Sequence, residues 1–162
     1  GGLGVPESPR QGGLDLAQVD ESLESLSPPE RHYELWLEPG RYVVAEAGVL
    51  LAQVTQVKGK GKTRYVGIST GMNSLIRPPL YGAYHEIVNL TRLSDAPEHV
   101  VNIVGPICES GDRLGADRLL PRCHEGDLML IANAGAYGHV MGSSYNMREP
   151  AVEVLIEDEP PA

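Results

Sequence analysis

Arg77 and Tyr81 stand four residues apart in Arg77-Pro78-Pro79-Leu80-Tyr81. A guanidinium can clamp a carboxylate through two parallel hydrogen bonds, and a phenol can add a third donor. The rigid Pro-Pro suits a binding loop and an edge loop with a surface arginine equally well, and Tyr84 and His85 follow closely. Gly105-Pro106-Ile107-Cys108-Glu109-Ser110 comes after a β-prone run, which puts Cys108 and Glu109 on a loop. A loop thiol beside a carboxylate can give or take a proton, although a cysteine is more often a small buried hydrophobe. In Gly135-Ala136-Tyr137-Gly138 the small neighbours leave one phenol ring accessible, and a simple turn explains the pattern nearly as well.

Two further segments could meet an anion. Gly1-Gly2-Leu3-Gly4 precedes a helical segment, and glycines let several backbone N–H groups point at a phosphate. Flexible termini of this composition are commoner. Glu38-Pro39-Gly40-Arg41 ends a β-prone run, and in an α/β barrel that end of a strand faces the active site. A type II turn with an exposed arginine is the favoured alternative. His32, His85, His99, His124 and His139 show no short metal-ligand spacing with one another or with cysteine, so no metal site is expected. No Gly-x-Ser-x-Gly elbow supports a serine hydrolase.

The elements that must position these groups are mostly strands. Leu16, Val19, Leu23 and Leu26 recur at steps of three and four, the spacing of one helix face. Asp15 with Gln18 resembles a capping box at its start, and Ser27-Pro28-Pro29 stops it. β-Prone runs follow at Tyr33–Leu37, Val43-Val44, Val54–Val57, Tyr65–Ile68, Ile87-Val88, Val100–Val104, Leu128–Ile131 and Val152–Ile156. Many are separated by Gly, Pro or Asp, which predicts an all-β sandwich or barrel. Lys58-Gly59-Lys60-Gly61-Lys62 reads as an exposed turn between two strands, and the tail from Glu157 to Ala162 as frayed.

The 162 residues suffice for one domain with a core. With 41% hydrophobic and 22% charged residues the composition is that of a globular protein. Phe is absent, so Leu, Val, Ile and the seven Tyr are expected to share the packing. A formal net charge of -9 argues against a nucleic-acid partner and against anionic lipid. No apolar run approaches the roughly 20 residues of a membrane-spanning helix. Two cysteines make no disulfide framework, and a reduced, cytoplasmic setting is the simpler expectation. The opening on Gly1, with no initiator Met and no signal peptide, reads as a piece of a longer protein.

Taken together and in order, these segments resemble the pyridoxal-phosphate decarboxylases built from an α/β barrel and a C-terminal β domain. The resemblance rests on Gly1–Gly4, Glu38–Arg41, the run Gly71-Met72-Asn73 to Leu75-Ile76-Arg77 and on to His85, Gly105 to Asp112, Gly135–Gly138 and Ser143 to Asn146. It implies a mainly β fold. Residues 1–40 would be the last strand-loop-helix-strand piece of the barrel and residues 41–162 the β domain, with the boundary falling near 38–48. Cys108-Glu109-Ser110 with Arg77 and Tyr81 resembles the diaminopimelate decarboxylase branch rather than ornithine or arginine decarboxylases. The chemistry agrees, because diaminopimelate carries a distant carboxylate and a distant ammonium, and an ornithine site would leave an arginine there unpaired.

The resemblance further implies pyridoxal 5'-phosphate as cofactor, with Gly1, Gly2 and the backbone of Glu38, Pro39, Gly40 and Arg41 around its phosphate. Tyr137 would touch cofactor and substrate. Arg41, Arg77 and Tyr81 would take the distal carboxylate of meso-diaminopimelate, and Glu109 its distal ammonium. Cys108 would deliver the proton that replaces CO2 to give L-lysine, acting with Glu109 across the interface of a homodimer with shared active sites. Ser69 and Ser74 depart from the pattern, which has Asp at both places. Such cofactors are held as a Schiff base by a Lys amine, but the three lysines, Lys58, Lys60 and Lys62, all lie in one turn. This chain alone is therefore expected to be inactive. The whole also resembles the decarboxylase half of a fusion with aspartate kinase. A non-catalytic β module that binds or regulates a partner, and a decarboxylase of a carboxylated polyamine, are the competing readings.

Overall fold

The computed structural model describes residues 3–8, 10–26, 34–61 and 63–157. Two short helices precede the sheet, α1 (Leu16–Leu26) and α2 (Gly40–Val44). The strands are β1 (Leu50–Lys60), β2 (Thr63–Ile68), β3 (Ile87–Asn89), β4 (His99–Val104), β5 (Arg113–Leu120) and β6 (Leu128–Ile131), with α3 (Arg77–Tyr81) between β2 and β3. They form one sheet in the order β3-β6-β1-β2-β4-β5. All pairs are antiparallel except β2 with β4. β1 makes the corner: Leu50–Gln53 pair with β6, and Val54–Lys60 pair with β2 across a bulge between Val54 and Gln56. The curl brings the two edges together, so that a Cβ on Gly115 of β5 would lie 2.8 Å from Cδ1 of Ile87 in β3. The mainly β expectation is met by this nearly closed, barrel-like sheet.

Alternation fills the inside. In β1 Leu50, Ala52 and Val54 are buried while their neighbours are exposed, the two-residue period of a strand with one face on the core. Val66, Ile68, Leu75, Ile103, Leu114, Met129 and Ile131 complete a core of aliphatic side chains. Tyrosine does not share this task as expected. The six described tyrosines are all at least 37% exposed. A small barrel interior is filled by compact branched groups, and a phenol inside it would need a partner for its hydroxyl.

Several local expectations hold. Helix α1 forms, and Asp15 Oδ1 accepts the N–H groups of Ala17 and Gln18; the expected stop at residues 27–29 lies outside the described residues. The expected turn between two strands exists but is shorter than expected: Lys58, Gly59 and Lys60 belong to β1, the chain turns after Lys60 at Gly61 (φ 62°), and Lys62 is outside the described residues. Others fail. Glu34–Leu37 is irregular and exposed rather than a strand, and Tyr33 is outside the described residues. Val43 and Val44 are helical: Pro39 caps α2, and the Val43 N–H donates to its carbonyl, so Glu38–Arg41 is neither strand end nor type II turn. Val152–Ile156 runs without a ladder partner, and β5 was not foreseen.

Two buried carboxylates tie loops to this frame. Asp112 Oδ1 accepts the Met72 N–H at 2.7 Å, and its Oδ2 accepts the Ile107 N–H at 2.8 Å. A Cβ on Gly71 or Gly105 would overlap that carboxylate, which is why both positions need glycine. Asp127 Oδ2 accepts from Asn89 Nδ2, Arg92 Nε and the His124 N–H, each at 2.9 Å. Burial pushes the Asp127 carboxyl up, but the bonds from Asn89, His124 and Arg92 outweigh it and hold the group below its ordinary range.

Asp112→Ala leaves two N–H donors without their acceptor and is expected to lower unfolding free energy by about 3 kcal/mol, measured by urea denaturation. A loss below about 1 kcal/mol would show that the loop does not depend on this carboxylate. For Asp127 the sign follows from its lowered value: the stabilisation is present above the unfolded value near pH 4 and vanishes as pH falls through the folded one. Asp127→Asn should cost about 1 to 2 kcal/mol at pH 7, with the gap to wild type closing in acid. A gap that is constant with pH would contradict the electrostatic account.

Candidate active-site cleft

The cleft is assembled from four short pieces of chain. α3 begins on Arg77, and Pro78 and Pro79 occupy the first turn, where a helix has no use for their missing N–H groups. Gly82 closes it in the left-handed conformation (φ 66°), taking the turn that L side chains avoid. Arg77 is thereby held inward, 9% exposed, while Tyr81 on the next turn is largely exposed. α2 supplies Arg41. The N-terminal segment brings Glu7, and the fourth piece is the loop after β6, whose backbone lies against the end of α2: the Gly135 N–H donates to Ala45, and the Ala134 N–H donates to Gly48. A Cβ on Gly48 would lie 2.6 Å from the Gly135 Cα, so that clasp requires glycine on both sides.

The clasp presents Tyr137 at φ 59°, with the ring partly exposed as its small neighbours predicted. The Arg41 and Arg77 guanidiniums each sit 5.7 Å from its centroid, and Arg77 is also 5.9 Å from the Tyr81 ring. These are cation–π distances. Arg41, Arg77, Tyr81 and Tyr137 therefore line one cleft of about 430 Å³, together with Glu7 and Met141. Among the described residues Arg77 has no ion pair. Two guanidiniums and two phenols facing a common space make a receptor for a carboxylate or phosphate. Of the other residues expected at the cofactor, Glu38, Pro39 and Gly40 precede Arg41 on the same helix start, while Gly1 and Gly2 lie outside the described residues.

Cys108 and Glu109 are not among the residues lining that cleft. They sit on the β4–β5 loop, as expected, and Cys108 is exposed. Its N–H donates to Asn146 Oδ1 at 2.7 Å, and Tyr145 Oη lies 3.4 Å from Glu109 Oε2. Asn146 takes a positive φ of 58° to do so. The Ser-x-Tyr-Asn segment thus supports the thiol loop. Cys123, by contrast, follows the default for cysteine: it is buried, and burial raises its thiol pKa. Ser69 and Ser74 are both engaged. Ser69 Oγ accepts the Gln53 N–H, and Ser74 Oγ accepts the Ala151 N–H and pairs with Thr70.

Sequence reasoning missed three contributors. Asp112 lay inside a quoted motif, and the flanking Gly71 and Gly105 were the available signal. Glu7 carries no sequence signal for a place at the cleft. His85 was passed over for want of a metal-ligand spacing, yet it is 3% exposed and directly behind the arginines.

Comparison with known proteins agrees with the geometry. Residues 41–135 match the family model described as the pyridoxal-dependent decarboxylase C-terminal sheet domain. A diaminopimelate decarboxylase of Archaeoglobus fulgidus is 48% identical over 126 residues, 78% of this chain and 30% of that protein. One from Methanothermobacter thermautotrophicus is 39% identical over 98% of this chain and 38% of its own length. The crystal structure of Helicobacter pylori diaminopimelate decarboxylase complexed with L-lysine superposes with a TM-score of 0.83 at 36% identity, over 98% of this chain and 38% of that one. The chain spans about a third of the length of the curated relatives it matches. It belongs to the pyridoxal-dependent decarboxylase family, whose C-terminal sheet domain it carries.

Proposed function

We propose that this chain is the C-terminal part of a decarboxylase that converts meso-diaminopimelate to L-lysine and CO2. The observation that carries the reading is the buried Arg77, without an ion pair among the described residues, facing Arg41, Tyr81 and Tyr137 across one cleft. A site for a substrate with a charged far end needs such a receptor, and the relatives similar over most of the chain are named for that substrate. In this reading residues 1–40 close an α/β barrel and residues 41–162 form the β domain.

The described residues fit one side of a pyridoxal 5'-phosphate site. Tyr137 would lie against the cofactor, and the backbone of Glu38–Arg41, with Gly1 and Gly2, would lie around its phosphate. Among the described lysines, Lys58 and Lys60 end β1 and do not line the cleft, so the anchoring amine belongs to the rest of the enzyme. Bound pyridoxal phosphate supplies the sink for the electron pair left by departing CO2. Arg77, with Arg41 and Tyr81, clamps the distal carboxylate and so fixes which carbon is presented for reaction. Glu109 holds the distal ammonium. Cys108 holds a proton at Sγ and transfers it to the carbon that has lost CO2.

Cys108 and Glu109 stand apart from the arginine cleft in the lining residues, which supports their serving the site of a partner subunit in a homodimer. A formal net charge of -9 and the absence, among the described residues, of a helix fit to cross a membrane suit a cytoplasmic enzyme without nucleic-acid partners. A fusion to aspartate kinase would be established by one reading frame carrying both.

Replacing Arg77 with Lys in the complete enzyme is expected to raise KM for diaminopimelate about tenfold or more, because an ammonium cannot reproduce the two-pronged bond. An unchanged kcat/KM refutes the carboxylate role of Arg77, whereas no CO2 release from diaminopimelate by the unsubstituted enzyme would favour a carboxylated polyamine as substrate or a non-catalytic module. The shared site has its own test. Mixing one full-length variant that lacks the anchoring Lys with another carrying Cys108→Ala should restore activity, since one site of a mixed dimer keeps both groups. No recovery after demonstrated subunit exchange would place Cys108 in its own subunit's site.

A further inference from the structure

Behind the arginine cleft lies a much smaller chamber of about 20 Å³, lined by Val5, Glu7, Arg41, Ala45, Arg77, Tyr84, His85, Asn133 and Ala136. Arg41, Arg77 and Glu7 border both spaces, so the chamber is the back wall of the candidate site. His85 is the one imidazole in it. Its Nδ1 is 2.8 Å from the Ala132 carbonyl oxygen, which can only accept, so Nδ1 carries the proton. Nε2 then has a lone pair and no N–H. It is fully enclosed and has no partner among the described residues.

We propose that His85 is a positioning residue for the arginine pair, its ring tethered at Nδ1 so that the Nε2 lone pair meets the guanidinium N–H groups of Arg77 and Arg41. The inference rests on the reading of Arg77 as the carboxylate clamp and adds what orients that clamp. Space for a single water lets the lone pair reach the guanidiniums through one bridge. The segment that carries the ring is fixed as well, through its backbone and its neighbours. Arg118 of β5 donates from Nη2 to the His85 carbonyl at 3.0 Å and stacks 3.6 Å from the Tyr84 ring centroid, while the Tyr84 hydroxyl donates to Glu86. The charges facing the ring are Glu7, Arg41, Arg77 and Arg118, a net cationic surround. Burial, and then the nearby Arg77 and Arg118, lower the pKa of His85 against the opposing pull of Ala132 and Glu7. The imidazole stays an acceptor at neutral pH, which is the form that an arginine can use.

The test uses the full-length enzyme and four variants: His85→Leu, His85→Gln, Arg77→Ala and the double variant His85→Leu/Arg77→Ala. Loss of one charge-assisted acceptor should raise KM for diaminopimelate, and Kd for L-lysine measured by calorimetry, about tenfold in His85→Leu, with kcat within about threefold. His85→Gln retains a side-chain acceptor and should recover part of the affinity. In the Arg77→Ala background His85→Leu should add less than about twofold, because the residue it orients is gone. Full additivity, or a normal KM and Kd in His85→Leu beside raised values in Arg77→Ala, would overturn the role of His85 alone. Normal values in both single variants would overturn the Arg77 clamp and this inference with it. Thermal unfolding of each variant separates a fold defect from lost affinity: a raised KM that tracks Tm across the two His85 variants, with Gln no better than Leu, would make His85 a packing residue.

Discussion

A single carboxylate fixes one half of the candidate site. Asp112 accepts N–H groups from Met72 and Ile107, two segments that the sequence separates by more than thirty residues. It can do so only because Gly71 and Gly105 leave room for its oxygens. Hydrogen bonds to an ionised acceptor are among the stronger ones in a folded chain, and a buried one left unmade is costly. The β4–β5 loop is therefore not a flexible connection. Its backbone is set at Ile107, and Cys108 comes next, with its own N–H taken by Asn146. From there the fastening continues: Asn73 Nδ2 donates to the Glu149 carbonyl, and Ser143 donates its N–H to the Asn73 carbonyl. Thiol loop, Asp112 and supporting segment are thus joined by one run of hydrogen bonds.

The other half depends on closeness of backbone rather than on charge. Gly48 and Gly135 touch where no side chain could fit, which locks the loop after β6 to the end of α2. Tyr137 then projects between two guanidiniums. Arg77 has lost most of its water and has aromatic faces, not an acid, as recompense. A desolvated cation with incomplete pairing binds an incoming anion more strongly than an exposed one, because the cost of drying it has been met by the fold. His85 belongs to the same logic, since a neutral acceptor beside the guanidinium steadies it without competing for the anion as an aspartate would.

The class of the fold was legible because the β-branched runs alternate: Val54, Val66, Ile68, Val101 and Ile103 all reach the core. β5 was not, because Arg113–Leu120 holds no β-branched residue, and Gly115 and Asp117 (φ 48°) read as turn. It forms by completing the ladder with β4, a long-range preference that propensity does not carry. Val43-Val44 misled for the converse reason, since backbone bonds from Val43 to Pro39 and from Ala45 to Arg41 hold two β-branched residues in one short helical turn. The arginine and tyrosine positions could be picked out from residue types, but their convergence could not. Arg41 and Tyr137 are almost a hundred residues apart, and the clasp of the loop after β6 on the end of α2 brings them together.

Ser69 and Ser74, where the resemblance leads to an expectation of aspartate, show what hydroxyls do in this turn. Ser69 Oγ accepts the Gln53 N–H and Ser74 Oγ accepts the Ala151 N–H. Both donors are thus met by neutral oxygens. Ser74 is buried, and its N–H donates to the carbonyl of Gly71, the residue packed on the Asp112 carboxylate. A second carboxylate in that turn would add like charge near the Asp112 carboxylate, which repels it. A hydroxyl keeps the acceptor and drops the charge. The turn can therefore hold its shape with Asp112 as its one anion, and the Met72 N–H that this anion needs stays where the β4–β5 loop requires it.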